Sequence, residues 1–429
     1  MIIDKGNRLF KLLLSTFFAK VFVSFGGILL SISIGNFYNA EILGDFFIFQ
    51  LSAITVGVIV SLGMNETLVL FCSKNKNEIR ISSFFNLSIL LSFSLLSIFS
   101  LLFFLYDFND FPESYSVLFH NKFYFIVSSF FCTFNLLLAG FMRGIKKPAY
   151  SVLLENGAVS ILCIVILFTS KFILKQDVLN IALMYCLATF SIAFIGFFNL
   201  KSGNKVYLRK PYNNEIRSFL KTNNYFFIMV ICGLVSTSII SLYLGYILDN
   251  ESVALFRVIQ QVAMLISFSI IILNSAMPAH ISGLFRDKSL KNIESLSLFT
   301  SKYATLISLP IYIISIFYCV EIMKLFNVDI SGNTHLFIIL ATAQLFNVST
   351  GSVASILKMC GFEVELSKVI ILTNVICLIL LFALAPKLGV LGAIIASSSI
   401  LILQNAASLY LVKTKLDISA AFYIRKNDL

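Results

Sequence analysis

Few side chains in this sequence are suited to chemistry, and the informative ones are charges set inside apolar runs. Lys20 lies in "LLLSTFFAKVFVSF" and Arg257 in "ESVALFRVIQQVAM". Arg143 closes "NLLLAGFMR", with Lys146 and Lys147 just beyond it. The amides Asn135 and Gln260 sit in the same kind of surroundings, as do Gln261, Asn274, Gln344 and Asn347. A guanidinium offers a planar fork that grips phosphate or carboxylate oxygens in pairs, and an ammonium offers a point charge. Amides both donate and accept, which suits sugar hydroxyls; they also bond neighbouring helices. Nucleophilic or metal chemistry has no comparable pattern. His120, His280 and His335 are isolated, and the eight cysteines form no CxxC pair. That predicts no disulfide framework, no metal site and no cofactor, and no catalytic residue is assigned.

The elements that must carry these charges follow from composition. The chain has 429 residues, of which 59% are hydrophobic and only 12% charged. Soluble domains carry about one quarter charged residues, so no soluble fold of this length covers its surface. A helical membrane protein does, because lipid accepts an apolar exterior. A window of about 20 apolar residues selects twelve spans: 12–35, 42–66, 82–105, 122–142, 149–170, 177–200, 218–246, 252–277, 299–320, 334–357, 366–385 and 388–412. "KKP" at 146–148 and "APKLG" at 385–389 supply the two tightest breaks, since proline disfavours helix in the residue before it. The basic start followed by a long apolar run containing Lys20 predicts an uncleaved first transmembrane helix. Pro278 and Pro310 are expected kink sites.

The loops then orient the chain. Of the 32 Lys and Arg, 25 fall at or near the termini and even-numbered gaps and five at or near the odd-numbered gaps, leaving Lys20 and Arg257 deeper within spans. The positive-inside rule therefore predicts both termini in the cytoplasm. The net charge of +11 is orientation signal, and no dense basic patch suggests nucleic acid. The basic gap "KSGNKVYLRKPYNNEIR" divides the chain into six-helix halves, 1–205 and 206–429. An offset of 210 residues pairs Gly35 with Gly245, Glu41 with Glu251 and Gln50 with Gln260. Such parallel repeats are a transporter architecture whose substrate sites lie at the repeat interface.

At this point the residues resemble a family. "LGDFFIFQLSAITVGVIVSLGMNETLVLF", "AGFMRGIKKPAYSVLLENGAV", "FRVIQQVAMLISFSIIILNSAMPAHISGLF" and "GVLGAIIASSSILILQNAASLYLV" are similar to the polysaccharide-unit flippases. These are the Wzx-type exporters of the multidrug/oligosaccharidyl-lipid/polysaccharide (MOP) superfamily, relatives of the MATE antiporters. The resemblance implies an all-α polytopic protein with two six-helix lobes in a V. It also implies movement of undecaprenyl-pyrophosphate-linked oligosaccharide, for O-antigen or capsule, from the inner to the outer leaflet of the bacterial cytoplasmic membrane by alternating access. The implied partners are that lipid-linked substrate, membrane lipids and other polysaccharide-assembly proteins.

Each charge has a functional and a bland reading. Lys20 lies about 12 Å into the first span at 1.5 Å per residue. Facing lipid there costs at least about 2.5 kcal/mol, so it is expected to face a cavity, holding pyrophosphate or a sugar carboxylate, unless it snorkels or pairs. Arg257 lies about 8 Å into the eighth span, within snorkelling reach; the functional reading is a second phosphate contact nearer the outer leaflet. Arg143 is read as cytoplasmic anchoring or as capture of the lipid pyrophosphate. Gln260 and Asn135 are candidate sugar contacts. Glu66, with Asn65, is read as a solvated helix end. The alternatives are a MATE-type cation antiporter, which needs buried carboxylates, and a membrane polysaccharide polymerase. The polymerase usually carries a large outer loop with paired acids; here "YDFNDFPESYS" has Asp107, Asp110 and Glu113 but is short.

Overall fold

The computed structural model describes residues 2–74, 78–106, 110–173, 180–203 and 213–421. Side chains are described within these from residue 15 onward, except at 74, 78–79, 156, 201–203, 213–214, 275–276 and 278–279. Asp107, Lys76, Lys175, Lys205, Arg209, Lys210, Arg425 and Lys426 lie outside the described residues.

Among the described residues all regular structure is helical. Nine of the helices described are long and apolar enough to cross a membrane, and three bent pairs raise the number to twelve. These match the twelve apolar windows one for one. In chain order the first six spans are built from α1 (Ile2–Phe37), α2 (Ala40–Val60), α4 (Glu78–Leu105), α6 (Lys122–Gly144), α7 (Pro148–Val152) with α8 (Ala158–Phe168), and α9 (Ile181–Gly203). α3 (Met64–Lys74) and α5 (Ser116–His120) are short connecting helices. The seventh span joins α10 (Asn213–Leu234) to α11 (Ile240–Ile247), and the eighth joins α12 (Asn250–Ile266) to α13 (Phe268–Arg286). α14 (Leu290–Phe317) and α16 (Thr334–Ser349) with α17 (Val353–Met359) follow, with α15 (Cys319–Lys324) between them; α18 (Glu363–Leu388) and α19 (Val390–Leu416) close the chain. Large apolar side chains such as Leu101, Phe194 and Phe317 stay exposed on these helices, as a lipid-facing surface requires.

The chain forms two compact units, Met1–Val253 and Ala254–Leu429. The sequence division at 205/206 falls in the 204–212 stretch, outside the described residues. Hydrogen bonds tie the seventh span to the first unit. Asn223 Nδ2 donates to the Leu62 carbonyl at 2.9 Å and Thr67 Oγ1 donates to Asn223 Oδ1 at 2.8 Å. Near the other end Tyr115 Oη donates to the Leu242 carbonyl at 2.6 Å.

The repeat is visible in the caps. α1 ends at Phe37 and α2 starts at Ala40; 210 residues later α11 ends at Ile247 and α12 starts at Asn250. Asn39 Oδ1 accepts the Ile42 N–H at 2.8 Å, and its counterpart Asp249 accepts the Ser252 N–H at 2.9 Å. Short side-chain oxygens at this position satisfy backbone donors that a new helix leaves open.

Two expectations about breaks change. The second span ends at Val60 rather than 66, because Leu62 and Gly63 take positive φ values of 50° and 77°. A Cβ on Gly63 would sit 2.9 Å from the Phe227 backbone nitrogen, so glycine is required there for packing as well as for conformation. The eleventh span runs through Pro386, and the break is Gly389, with φ 58°; this is a conformation that only glycine adopts cheaply. α14 continues through Pro310 and α13 through position 278. Sharp bends at breaks measure 59° between α12 and α13, and 43° between α16 and α17.

Candidate functional site

The first unit gathers three charges, Arg143, Glu66 and Glu155, beside the helix that carries Lys20. Their positions follow from close helix contact at glycines. On α6, Gly140 and Gly144 are spaced i, i+4 and face α3. A Cβ on Gly140 would stand 2.3 Å from the Asn65 carbonyl oxygen, and one on Gly144 would stand 2.6 Å from the Cys72 Cβ. Small residues at this spacing let helix backbones approach closely. Arg143, three residues after Gly140, is thereby set beside Glu66. We expect Gly140→Leu to part these helices, at about 1–3 kcal/mol for overpacking. The check is a lowered thermal midpoint of the purified protein in detergent; an unchanged midpoint would contradict this packing.

Arg143 makes three contacts. Nη1 donates to Glu66 Oε1 at 3.0 Å, Nη2 donates to Glu155 Oε1, and Nε donates to Ser151 Oγ at 3.2 Å. Glu155 lies in a π-helical turn, Leu153–Gly157, between α7 and α8. That turn packs against α1, since a Cβ on Gly157 would overlap the Val23 side chain at 1.9 Å. Val23 is one turn after Lys20, so Lys20 stands on the helix that packs against the Glu155 turn. Arg143, Glu66 and Glu155 form the paired cluster, one cation between two carboxylates. Its side chains stay reachable: Arg143 is 30% exposed, Glu66 33% and Glu155 37%. Asn65 completes it, donating to Glu66 Oε1 at 3.4 Å while its buried Oδ1 has no hydrogen-bond partner among the described residues.

The other predicted residues make different contacts; Arg257 and Gln260 belong to the second unit. Arg257, in α12, is half-buried and donates from Nη1 to Gln260 Oε1 at 2.6 Å, one turn along the helix. Gln260 therefore orients the guanidinium. Asn135, proposed as a sugar contact, is 1% exposed and donates to the Thr189 carbonyl at 3.2 Å. It bridges α6 to α9 inside the packing, where a ligand cannot touch it unless the helices part. Glu66, read as a solvated helix end, is a partner of Arg143 instead. Glu155 escapes the sequence reading altogether. The signals for it are an acid inside "SVLLENGAVSILCIVILF" and the Gly-x-x-x-Gly spacing around Arg143.

A second charged feature is a cavity of about 330 Å³ in the first unit, lined by Glu41, Asp45, Glu113, Asp249 and Glu251. Asn250 Nδ2 donates to Asp45 Oδ1 there at 2.6 Å. Among the described residues no three His, Cys, Asp or Glu side chains converge as metal ligands.

No protein-family model matches the sequence, and no curated protein matches it. Solved structures do. A multidrug-resistance MATE transporter of the MOP superfamily, in an inward-facing conformation, aligns with TM-score 0.71 over 94% of each chain at 15% identity. This chain has a MATE-like transporter fold. An outward-facing MATE transporter aligns at TM-score 0.65, 15% identity, over 95% of this chain and 96% of that one. A MOP-superfamily transporter from Pyrococcus furiosus, described as having a binding pocket of reversed polarity that suggests a different function, aligns at TM-score 0.62, 13% identity, over 95% and 94%.

Proposed function

We propose that this chain is a flippase for undecaprenyl-pyrophosphate-linked oligosaccharide, working by alternating access with both termini in the cytoplasm. The observation that supports this reading is Arg143, a reachable guanidinium between Glu66 and Glu155, with Lys20 as a second cation on α1, the helix that packs against the Glu155 turn. A pyrophosphate needs more than one positive group, and an arginine fork with a lysine supplies both bidentate and point-charge contacts. The two carboxylates define the mechanism further. With no ligand they compensate the cations, so the site remains neutral inside the membrane. An arriving pyrophosphate takes the place of Glu155 on Arg143, and the π-helical turn that carries Glu155 gives this carboxylate a backbone distinct from the regular helix. Arg257, held by Gln260, is a second contact for the anion on its way out. The neighbour with a pocket of reversed polarity supports the view that one fold serves cargos of different charge.

A deletion strain tests this. Lipid-linked oligosaccharide should accumulate facing the cytoplasm, and surface polysaccharide should be lost. Normal surface polysaccharide with no accumulation would overturn the reading.

A second reading, a MATE-type cation antiporter, has its own support. Glu66 and Glu155 are acids of the kind such exchange needs, and the acidic cavity around Asp45 suits a cation. Efflux of a cationic dye, measured in a strain lacking other pumps, separates the two.

A further inference from the structure

The second unit contains a cavity of about 160 Å³ whose wall carries four amide side chains and two hydroxyls beside apolar groups, and it forms where a helix is interrupted. α16 ends before Gly351, which takes φ 70°. The chain then restarts as α17 at an angle of 43°. Unwound backbone at membrane depth persists only where it is buried in protein or lines a polar cavity. Here the amides close around the break. Asn405 Nδ2 donates to Asn347 Oδ1 at 2.9 Å, and Thr350 Oγ1 donates to Asn405 Oδ1 at 3.2 Å.

Two groups in the cavity wall are left over. Asn274 Oδ1 and Ser352 Oγ are buried and have no hydrogen-bond partner among the described residues, and Ser352 is only 2% exposed. A buried polar atom without a partner is destabilising, so the cavity is built for a polar occupant. Its chemistry narrows the choice. Among the described residues no charged side chain lines the cavity, and an ion would be desolvated there without a counter-charge. Amides and hydroxyls donate and accept side by side, as the hydroxyls of a sugar ring do. The space suits one such ring.

We infer that this cavity, bounded by Asn274, Asn347, Ser352, Gln404 and Asn405, binds one neutral sugar ring of the cargo. The inference deepens the flippase reading and rests on it. Neutral-sugar recognition then lies in the second unit and pyrophosphate recognition in the first. The cargo is read at two places, by two kinds of chemistry.

Saturation-transfer NMR on the detergent-purified full chain tests the cavity, with glucose, galactose and N-acetylglucosamine as probes. At least one should receive saturation from the wild type. Asn274→Leu removes an amide at similar size, and Ser355→Phe fills the cavity from its half-buried edge. Each should weaken the signal about fivefold or more, the loss of one or more hydrogen bonds. Signals equal to wild type in both folded variants would overturn the site. Binding of undecaprenyl pyrophosphate, measured in parallel on the same samples, keeps the two claims apart. Head-group binding without any sugar signal means the cavity holds water only, and the flippase reading survives. Sugar binding lost in the variants, without head-group binding in any sample, leaves the cavity standing and removes the flippase reading.

Discussion

Lys20→Ala should abolish surface polysaccharide while the chain still inserts into the membrane. Lys20 sits about 12 Å into the first span at 1.5 Å per residue, one turn from the Val23 contact that locks α1 to the π-helical turn. Its loss removes one cation-to-phosphate contact, worth about 1.5–3 kcal/mol, or roughly ten- to a hundredfold in occupancy. The fold should tolerate the change, because Glu155 keeps Arg143 as its partner. Lys20→Arg should restore part of the activity, since it keeps the charge. Polysaccharide levels compared with membrane-fraction protein levels check the expectation. Wild-type polysaccharide in Lys20→Ala would sink the cation role.

Arg143→Gln should damage both stability and transport. The substitution leaves Glu66 and Glu155 facing one another without the guanidinium between them. Breaking a fully buried pair costs about 3–5 kcal/mol. These side chains are about one-third exposed, so solvent screening reduces the cost to about 1–2 kcal/mol. Neutralising the acids as well, in Arg143→Gln with Glu66→Gln and Glu155→Gln, should recover the thermal midpoint but not transport. That split distinguishes an anion-binding arginine from a purely structural one. Recovery of transport along with stability would show that Arg143 is only a brace.

The twelve spans are legible in the sequence because a bilayer imposes one simple length and polarity rule on each segment. The repeat is legible because the pairs Gly35/Gly245, Glu41/Glu251 and Gln50/Gln260 keep their spacing; the caps at Asn39 and Asp249 are added by the structure. Sequence alone assigns the break near Gly389 to Pro386, although a proline late in a helix is tolerated when a glycine follows that can reverse φ. The partner of Arg143 is harder to read. Glu66 and Glu155 are 77 and 12 residues away in sequence, and only the approach of α6 to α3 at Gly140 brings Glu66 to it. The same limit applies to the amide cavity. Asn274, Asn347 and Asn405 are all polar groups within spans, but nothing local says that these three share one wall. Asn135 shows the converse, since an amide in a span is as readily a bridge between helices as a ligand contact.

The most direct measurement is transbilayer movement in proteoliposomes holding the purified chain and an undecaprenyl-pyrophosphate-linked saccharide, scored by accessibility to an impermeant saccharide-modifying enzyme. Wild-type protein should expose the sealed-in fraction, and Lys20→Ala should leave it protected. Protection by both proteins, together with uptake of a cationic dye by the wild type, would contradict the flippase and select the antiporter.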